Sequence, residues 1–193
     1  MNTRKAELAG TFFTTGQLPA DERPKVLFIG RSNVGKSSLI NSLLECRLAR
    51  TSSLPGKTLS VNYYAVGGTC VGLVFVDLPG YGFARVSKGE TARVRALISG
   101  FLAQVRNVRL AMLLIDCRRG FLPPDLETLG HLVEKNVPIL TILTKSDKLS
   151  LSEQKKLNEQ LKNKFGLQAI FFSVKSPEAK NEIWRQIGEA MKE

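Results

Sequence analysis

The sequence predicts an α/β fold with three α/β/α layers, built on a mostly parallel six-stranded sheet with one antiparallel edge strand. Three observations predict it. Apolar runs of strand length (Val26–Ile29, Leu59–Val66, Val71–Val76, Leu110–Ile115, Ile139–Leu143 and Ala169–Phe172) alternate with stretches of helical period, the pattern of a parallel sheet covered on both faces. Gly67-Gly68 separates the second run from the third, a hairpin signal that makes one edge antiparallel. The chain of 193 residues is 43% hydrophobic and contains no repeat, low-complexity tract or linker, which predicts a single domain able to bury a core.

The helices follow in order. Ser38-Leu39-Ile40-Asn41-Ser42-Leu43-Leu44 reads as a helix after the first strand. Val94, Leu97, Ile98, Phe101, Leu102 and Val105 recur at helical spacing and form an apolar stripe. Leu126, Leu129, Leu132 and Val133 form a second stripe, and both are assigned to the core. His131 lies between stripe residues and is assigned a structural or exposed place. Ser150 and Glu153 have capping-box spacing ahead of Leu157, Leu161 and Phe165. Ser176-Pro177 reads as an N-cap followed by Pro at the first helical position, opening a helix with Ile183, Trp184 and Ile187.

The chemistry is carried by loops that follow strands. Gly30-Arg31-Ser32-Asn33-Val34-Gly35-Lys36-Ser37 is a full G-x-x-x-x-G-K-[ST] motif between the first strand and the first helix. Backbone N–H groups of such a loop can wrap a polyphosphate, and the positive end of the helix favours its charge. Lys36 would reach the β- and γ-phosphates; Ser37 would place its hydroxyl on Mg2+, with Ser38 beside it. Asp77-Leu78-Pro79-Gly80 ends the third strand, so that Asp77 can hold Mg2+ through water. Gly80 lets its N–H approach a γ-phosphate with no side chain in the way. Thr144-Lys145-Ser146-Asp147 follows the fifth strand. The Asp147 carboxylate can accept two hydrogen bonds from guanine, a pair of donors that adenine lacks, and the Lys145 stem can lie over the purine. Phe172, Ser173 and Val174 follow the last strand, where backbone N–H groups could meet the guanine edge.

The segment from Arg50 to Thr58 is polar and contains Pro55-Gly56, a loop signal. A threonine there can complete the Mg2+ shell when the γ-phosphate is present, which would make the loop a switch. Thr58 is chosen over Thr51 because it precedes the second strand directly. Gly56, Lys57, Leu59 and Ser60 are counted with it as nucleotide contacts, and Lys36, Thr58 and Gly80 as the catalytic set.

A formal charge of +11 suggests a polyanionic partner. Cys46, Cys70 and Cys117 are widely spaced and form no C-x-x-C pair, so the reading is reduced thiols in a cytoplasmic protein rather than zinc or disulfides. No apolar stretch is long enough to span a bilayer.

On these motifs the chain resembles a translation-factor-class, Ras-like P-loop GTPase, and within that class the bacterial EngB family, also called YihA or YsxC. The marks are the stretch Gly30 to Asn41, Pro55-Gly56-Lys57-Thr58, Asp77-Leu78-Pro79-Gly80-Tyr81-Gly82, Thr144-Lys145-Ser146-Asp147 and Asp116-Cys117-Arg118-Arg119-Gly120. The likeness runs from about Phe13 to Ile187. It implies one G domain over residues 1–193, with 1–24 as an N-terminal extension. It also implies GTP and GDP as ligands, Mg2+ as cofactor, and a monomer that works in assembly of the large (50S) ribosomal subunit, with consequences for cell division and septation. Arg85, Lys88, Arg93, Arg95, Arg106, Arg118 and Arg119 are candidate contacts to ribosomal RNA. Thr144 stands where many GTPases have Asn, and Ser173-Val174-Lys175 departs from the usual pattern. Tyr81 stands where Ras-like enzymes carry the water-orienting Gln, which implies slow hydrolysis. Asn33 matches a position that holds K+ in some GTPases, the other reading being a hydrogen bond within its own loop. Two further readings compete with a GTPase switch: a non-catalytic GTP-sensing module, and a P-loop kinase, which Asp147 disfavours.

Overall fold

The computed structural model describes residues 5–49, 60–67, 72–82, 87–167 and 169–192. The strands are β1 (Ala6–Phe12), β2 (Lys25–Gly30), β3 (Val61–Val66), β4 (Leu73–Asp77), β5 (Val108–Asp116), β6 (Ile139–Thr144) and β7 (Ala169–Phe172). They form one sheet in the order β1-β3-β4-β2-β5-β6-β7. β4, β2, β5, β6 and β7 are parallel; β3 pairs antiparallel with β4, and β1 antiparallel with β3. The helices are α1 (Lys36–Leu44), α2 (Lys88–Gln104), α3 (Pro123–Glu134), α4 (Leu151–Phe165) and α5 (Pro177–Ala190).

The two-residue period of the strands divides the core into two layers. Val26 and Phe28 of β2 face one side with Phe75, Met112 and Leu114, against Leu39, Ile40 and Leu43 of α1 and Ile183 and Ile187 of α5. Leu27 and Ile29 face the other side with Val76, Leu113 and Ile115, against Val94, Leu97 and Phe101 of α2, Leu132 of α3 and Leu161 of α4. Phe75 is the hub of the first layer, with Phe28 at 4.9 Å and Trp184 stacked at 5.5 Å between ring centroids. The capping box at Ser150 forms as the spacing predicts: the Glu153 carboxylate accepts from Ser150 N at 2.7 Å and Ser150 Oγ from Glu153 N at 3.4 Å.

The α/β class holds, and the details differ in two places. The sheet has seven strands rather than six, because part of the segment read as an N-terminal extension is β1. Ala6-Glu7-Leu8-Ala9-Gly10-Thr11-Phe12 has no apolar alternation, most of it is exposed, and its register shifts between Leu8 and Gly10. An edge strand held by backbone pairing leaves little trace in a hydrophobic pattern. The antiparallel β3 therefore lies inside the sheet, and β1 is the edge. The second correction concerns α3, whose predicted stripe faces the core only in part: Leu132 is buried there and Leu129 packs against it, but Leu126 is 40% and Val133 59% exposed, and Asp125 and Thr128 are buried in their stead. A buried carboxylate accounts for that difference, as described below. Leu59, Gly68 and Val71, at the ends of the predicted second and third strands, lie outside the described residues.

Phe12 closes β1 against the core, edge-on to Tyr63 at 5.2 Å. Phe12→Ala is expected to lower unfolding free energy by about 2 kcal/mol, from lost apolar contact and the aromatic pair. Urea titration measures it, and an unchanged midpoint would mean that β1 adds nothing to stability.

Candidate functional site

Strand register brings the motif loops to one edge. Phe28 lies opposite Asp77, Gly30 opposite Leu114, Asp116 opposite Thr144 and Thr144 opposite Phe172. The loops after β2, β4, β5, β6 and β7 therefore open at the same carboxyl ends, where open α/β sheets take their ligands.

The phosphate loop fits this edge tightly. A Cβ at Gly30 would fall 2.7 Å from the Leu114 carbonyl oxygen. Gly35 is left-handed (φ 108°) and caps α1, so no side chain intrudes where the first N–H groups of the helix emerge. Asn33 is exposed and also left-handed at φ 59°. Its carbonyl accepts from Lys145 Nζ at 2.9 Å, while the Val34 carbonyl accepts from Thr144 Oγ1 at 2.6 Å. Ser32 N donates to the Tyr81 carbonyl at 2.9 Å. The loop is thus held from the β4 side and the β6 side at once.

Lys36 is 7% and Asp77 2% exposed. Their side chains form a buried ion pair beneath the loop. Ser37 and Ser38 sit half-buried on the first turn of α1. Leu78, Pro79 and Gly80 are buried. A Cβ on Gly80 would stand 3.0 Å from both N and Cα of Ser32, so the two loops touch backbone to backbone. Among the described residues no cluster of three or more His, Cys, Asp or Glu side chains could hold a metal by itself. The Ser37 hydroxyl and the Asp77 carboxylate are hard oxygens of the type Mg2+ takes, and Mg2+ draws the rest of its shell from water and phosphate.

At the other end, Lys145 is left-handed at φ 59°, Ser146 is buried and Asp147 is exposed. Slight desolvation opposes ionisation of Asp147, but the Ser173 hydroxyl and the Lys148 ammonium outweigh it and hold the carboxyl below its ordinary value. Phe172 is buried, and Val174 is 66% exposed. Ser60 is buried with its hydroxyl turned toward Asn62 at 3.4 Å. Gly56, Lys57, Thr58 and Leu59 lie outside the described residues, as does Arg85.

Three groups were not assigned to the site from sequence. Asn41 ties α1 to the following chain, donating to the Ala49 carbonyl and accepting from Ala49 N, both at 2.8 Å. Asp116 accepts from Lys145 Nζ at 2.8 Å and Arg118 Nη2 at 2.7 Å. Asp125 is fully buried, accepting from the Tyr81 hydroxyl and from Leu122 N, each at 2.9 Å. Burial raises the Asp125 pKa, against the opposing pull of Leu122 N–H, the Tyr81 hydroxyl and Arg31. Burial, then the Asp125 charge, pushes the Tyr81 phenol far above its ordinary value. Arg31 Nε is buried and unpartnered beside them. Only the resemblance marked the segment at Asp116; spacing carries no signal for such tertiary pairs.

Gly80→Ala is expected to push Ser32 and lower nucleotide affinity at least about tenfold while the fold persists, since backbone must yield; calorimetric titration with GDP checks it. Tyr81→Phe leaves Asp125 short of one donor and should cost about 1–3 kcal/mol near pH 7.5. The raised Asp125 pKa means that its proton favours the folded state, a contribution present below the unfolded value and lost as pH rises through the folded one. The stability gap between Tyr81→Phe and wild type should therefore narrow as pH falls toward about 5. A gap independent of pH would contradict this.

The geometry can be set beside known proteins. The family model of the 50S ribosome-binding GTPase matches residues 25–145. The probable GTP-binding protein EngB of Petrotoga mobilis is 40% identical over 99% of this chain and 98% of its own length. That of Kosmotoga olearia is 41% identical over 95% and 97%. The crystal structure of a probable GTP-binding protein EngB superposes with a TM-score of 0.71 at 25% identity, covering 87% of this chain and 98% of that one. Era from Aquifex aeolicus, solved with GDP and AlF4−, shares the fold with a TM-score of 0.73 at 22% identity, over 88% of this chain and 57% of that one. A phosphate loop, an Asp-x-x-Gly turn and a Thr-Lys-x-Asp loop, gathered at one sheet edge, stand in a chain that belongs to the EngB family of GTP-binding proteins.

Proposed function

We propose that this protein is a Mg2+-dependent GTPase acting as a switch in assembly of the large (50S) ribosomal subunit, and through it in cell division and septation. The observation that carries the nucleotide reading is the shared anchoring of the phosphate loop. Lys36 meets Asp77 beneath it, and Thr144 and Lys145 hold it from the guanine side. Lys36 would exchange the Asp77 carboxylate for the β- and γ-phosphates. Ser37 and Asp77 would hold Mg2+, Asp77 through water, and Thr58 would complete that shell when GTP is present. The metal, when bound, neutralises charge on the phosphates. Gly80 N–H would face the γ-phosphate, and Asp147, with Phe172, Ser173 and Val174 beside it, would read guanine.

Hydrolysis is proposed to be slow without a partner. The Tyr81 hydroxyl is engaged with buried Asp125, so it is not free to orient water. Single-turnover rates on the order of 10⁻⁴ to 10⁻³ s⁻¹ are expected, by comparison with unassisted Ras. A rate near about 1 s⁻¹ for the isolated protein would overturn this. Asn33 directs its carbonyl to Lys145. Equal hydrolysis in KCl and NaCl would leave it a loop residue and dismiss K+.

The ribosomal partner is supported by the charge of +11 and by the family. Arg93, Arg106 and Arg119 are exposed. Arg95 pairs with Glu127 at 3.4 Å and Arg118 with Asp116 at 2.7 Å, which makes them weaker candidates. No helix among the described residues is long and apolar enough to cross a membrane; a monomer in the cytoplasm is part of the proposal. Asp147→Asn is expected to lose GDP affinity and gain affinity for xanthosine diphosphate, measured by competition. Large-subunit particles should bind the GTP-analogue form, with affinity falling steeply as salt rises and on charge reversal at Arg93 or Arg119. Binding that ignores both salt and nucleotide would remove the switch reading.

A further inference from the structure

Asp116 ends β5 opposite Thr144 of β6, and its side chain is 9% exposed. Both of its oxygens are used. Oδ1 accepts from Arg118 N at 3.1 Å and Arg118 Nε at 2.9 Å; Oδ2 accepts from Arg118 Nη2 at 2.7 Å and Lys145 Nζ at 2.8 Å. The same Lys145 ammonium donates to the Asn33 carbonyl at 2.9 Å. Lys145 is therefore pinned by its tip between the end of β5 and the phosphate loop. Its backbone is pinned as well, because its left-handed carbonyl accepts from Cys117 Sγ at 3.3 Å. The side chain keeps 33% exposure, so the stem retains an open side.

A free lysine stem samples many rotamers and gives up that freedom when a base is laid upon it. A stem already fixed at both ends does not, and preorganisation of this kind raises affinity without a new contact to the ligand. The carboxylate is itself oriented by the two-pronged guanidinium of Arg118, the geometry in which arginine holds a carboxylate most firmly.

We infer that Asp116 is a positioning residue for guanine-nucleotide binding: with Arg118 behind it, it holds Lys145 across the gap between β5 and the phosphate loop, so that the stem is set for the purine. This rests on the reading of Lys145 as the residue that lies on the base. Arg118, taken from sequence as a contact to RNA, serves this positioning as well, with its side chain 46% exposed.

The test measures GDP and inosine diphosphate affinity for wild type, Asp116→Asn, Lys145→Met and the double variant, with thermal midpoints alongside. Asp116→Asn should weaken GDP roughly tenfold, the scale of a hydrogen bond to a charged group. It should weaken GDP by less than about twofold once Lys145 is already Met, because the interaction it serves is gone. The ratio of GDP to inosine diphosphate affinity should stay at its wild-type value, since Asp147 reads the 2-amino group and Asp116 does not. An equal loss in both backgrounds, or a collapsed ratio, would overturn the inference. If Lys145→Met alone leaves GDP affinity unchanged, the reading of Lys145 itself fails, a distinguishable result. Arg118→Ala gives the same readout should Asp116→Asn fail to fold: a loss confined to the Lys145 background supports the inference, and a loss in both counts against it.

Discussion

A charge removed from water must find a partner of opposite sign, and the carboxyl edge of this sheet is arranged around that constraint. Lys36 and Asp77 are 41 residues apart and almost fully buried. Neither could be buried alone, since desolvation of an unpaired ion costs several kcal/mol. Paired, they fix the start of α1 against the end of β4. That places the phosphate loop over the Asp-x-x-Gly turn closely enough that a Cβ at Gly80 would stand 3.0 Å from the Ser32 backbone. Such a pair adds little net stability compared with apolar packing. Its presence under a glycine-rich loop accords with the proposed ligand chemistry, in which each ion would have a ready replacement: phosphate for the carboxylate, a cation for the ammonium.

The same rule repeats along the edge. Lys145 is held by Asp116, and Asp116 by Arg118. Desolvation would raise the Asp116 pKa, but the hydrogen bonds from Arg118 and Lys145 outweigh it, and its carboxyl lies well below the ordinary 3.8. Asp125, with hydroxyl and amide donors rather than a paired cation, goes the other way, and burial raises its pKa. Two aspartates, one ending β5 and one in the first turn of α3, thus respond oppositely to acid. The stabilisation from Asp116 is present above the unfolded value and lost only as pH falls through a lower folded one. That from Asp125 grows as pH falls.

What could be read in the sequence was what is local. β2, β5, β6 and β7 are short apolar runs, and buried parallel strands carry their signal within themselves. The phosphate loop, the Asp-x-x-Gly turn and the Thr-Lys-x-Asp loop are contiguous, and their order placed them on strand ends. What stayed hidden depends on a distant partner. β1 is recognisable only through its pairing with β3. The α3 stripe held at Leu129 and Leu132 and misled at Leu126 and Val133, which lie outward where Asp125 turns inward to Tyr81. Asn41 closing on Ala49 and Arg118 closing on Asp116 are short in sequence, yet nothing in their residue types distinguishes them from surface polar groups. Four of the predicted contacts, at 56–59, lie outside the described residues, so their part in the site rests on sequence.

Tyr81 shows how a substitution in a motif changes more than one property. Its carbonyl accepts from Ser32 N of the phosphate loop at 2.9 Å, and its hydroxyl donates to Asp125 on α3 at the same distance. A glutamine in its place could not supply the phenolic hydroxyl that Asp125 accepts from. The tyrosine, only 6% exposed, is instead a strut from the phosphate loop to α3. Gly80 immediately precedes it, and a side chain at Gly80 would already press on Ser32. Any displacement of this turn must therefore be taken up by the Ser32 bond, by the Asp125 bond, or by movement of α3 itself. Tight packing does not spread such a shift evenly, and the weaker constraint yields first. Along this strut, the residue that stands where the resemblance would place a water-orienting Gln is also the one that joins the phosphate loop to a helix.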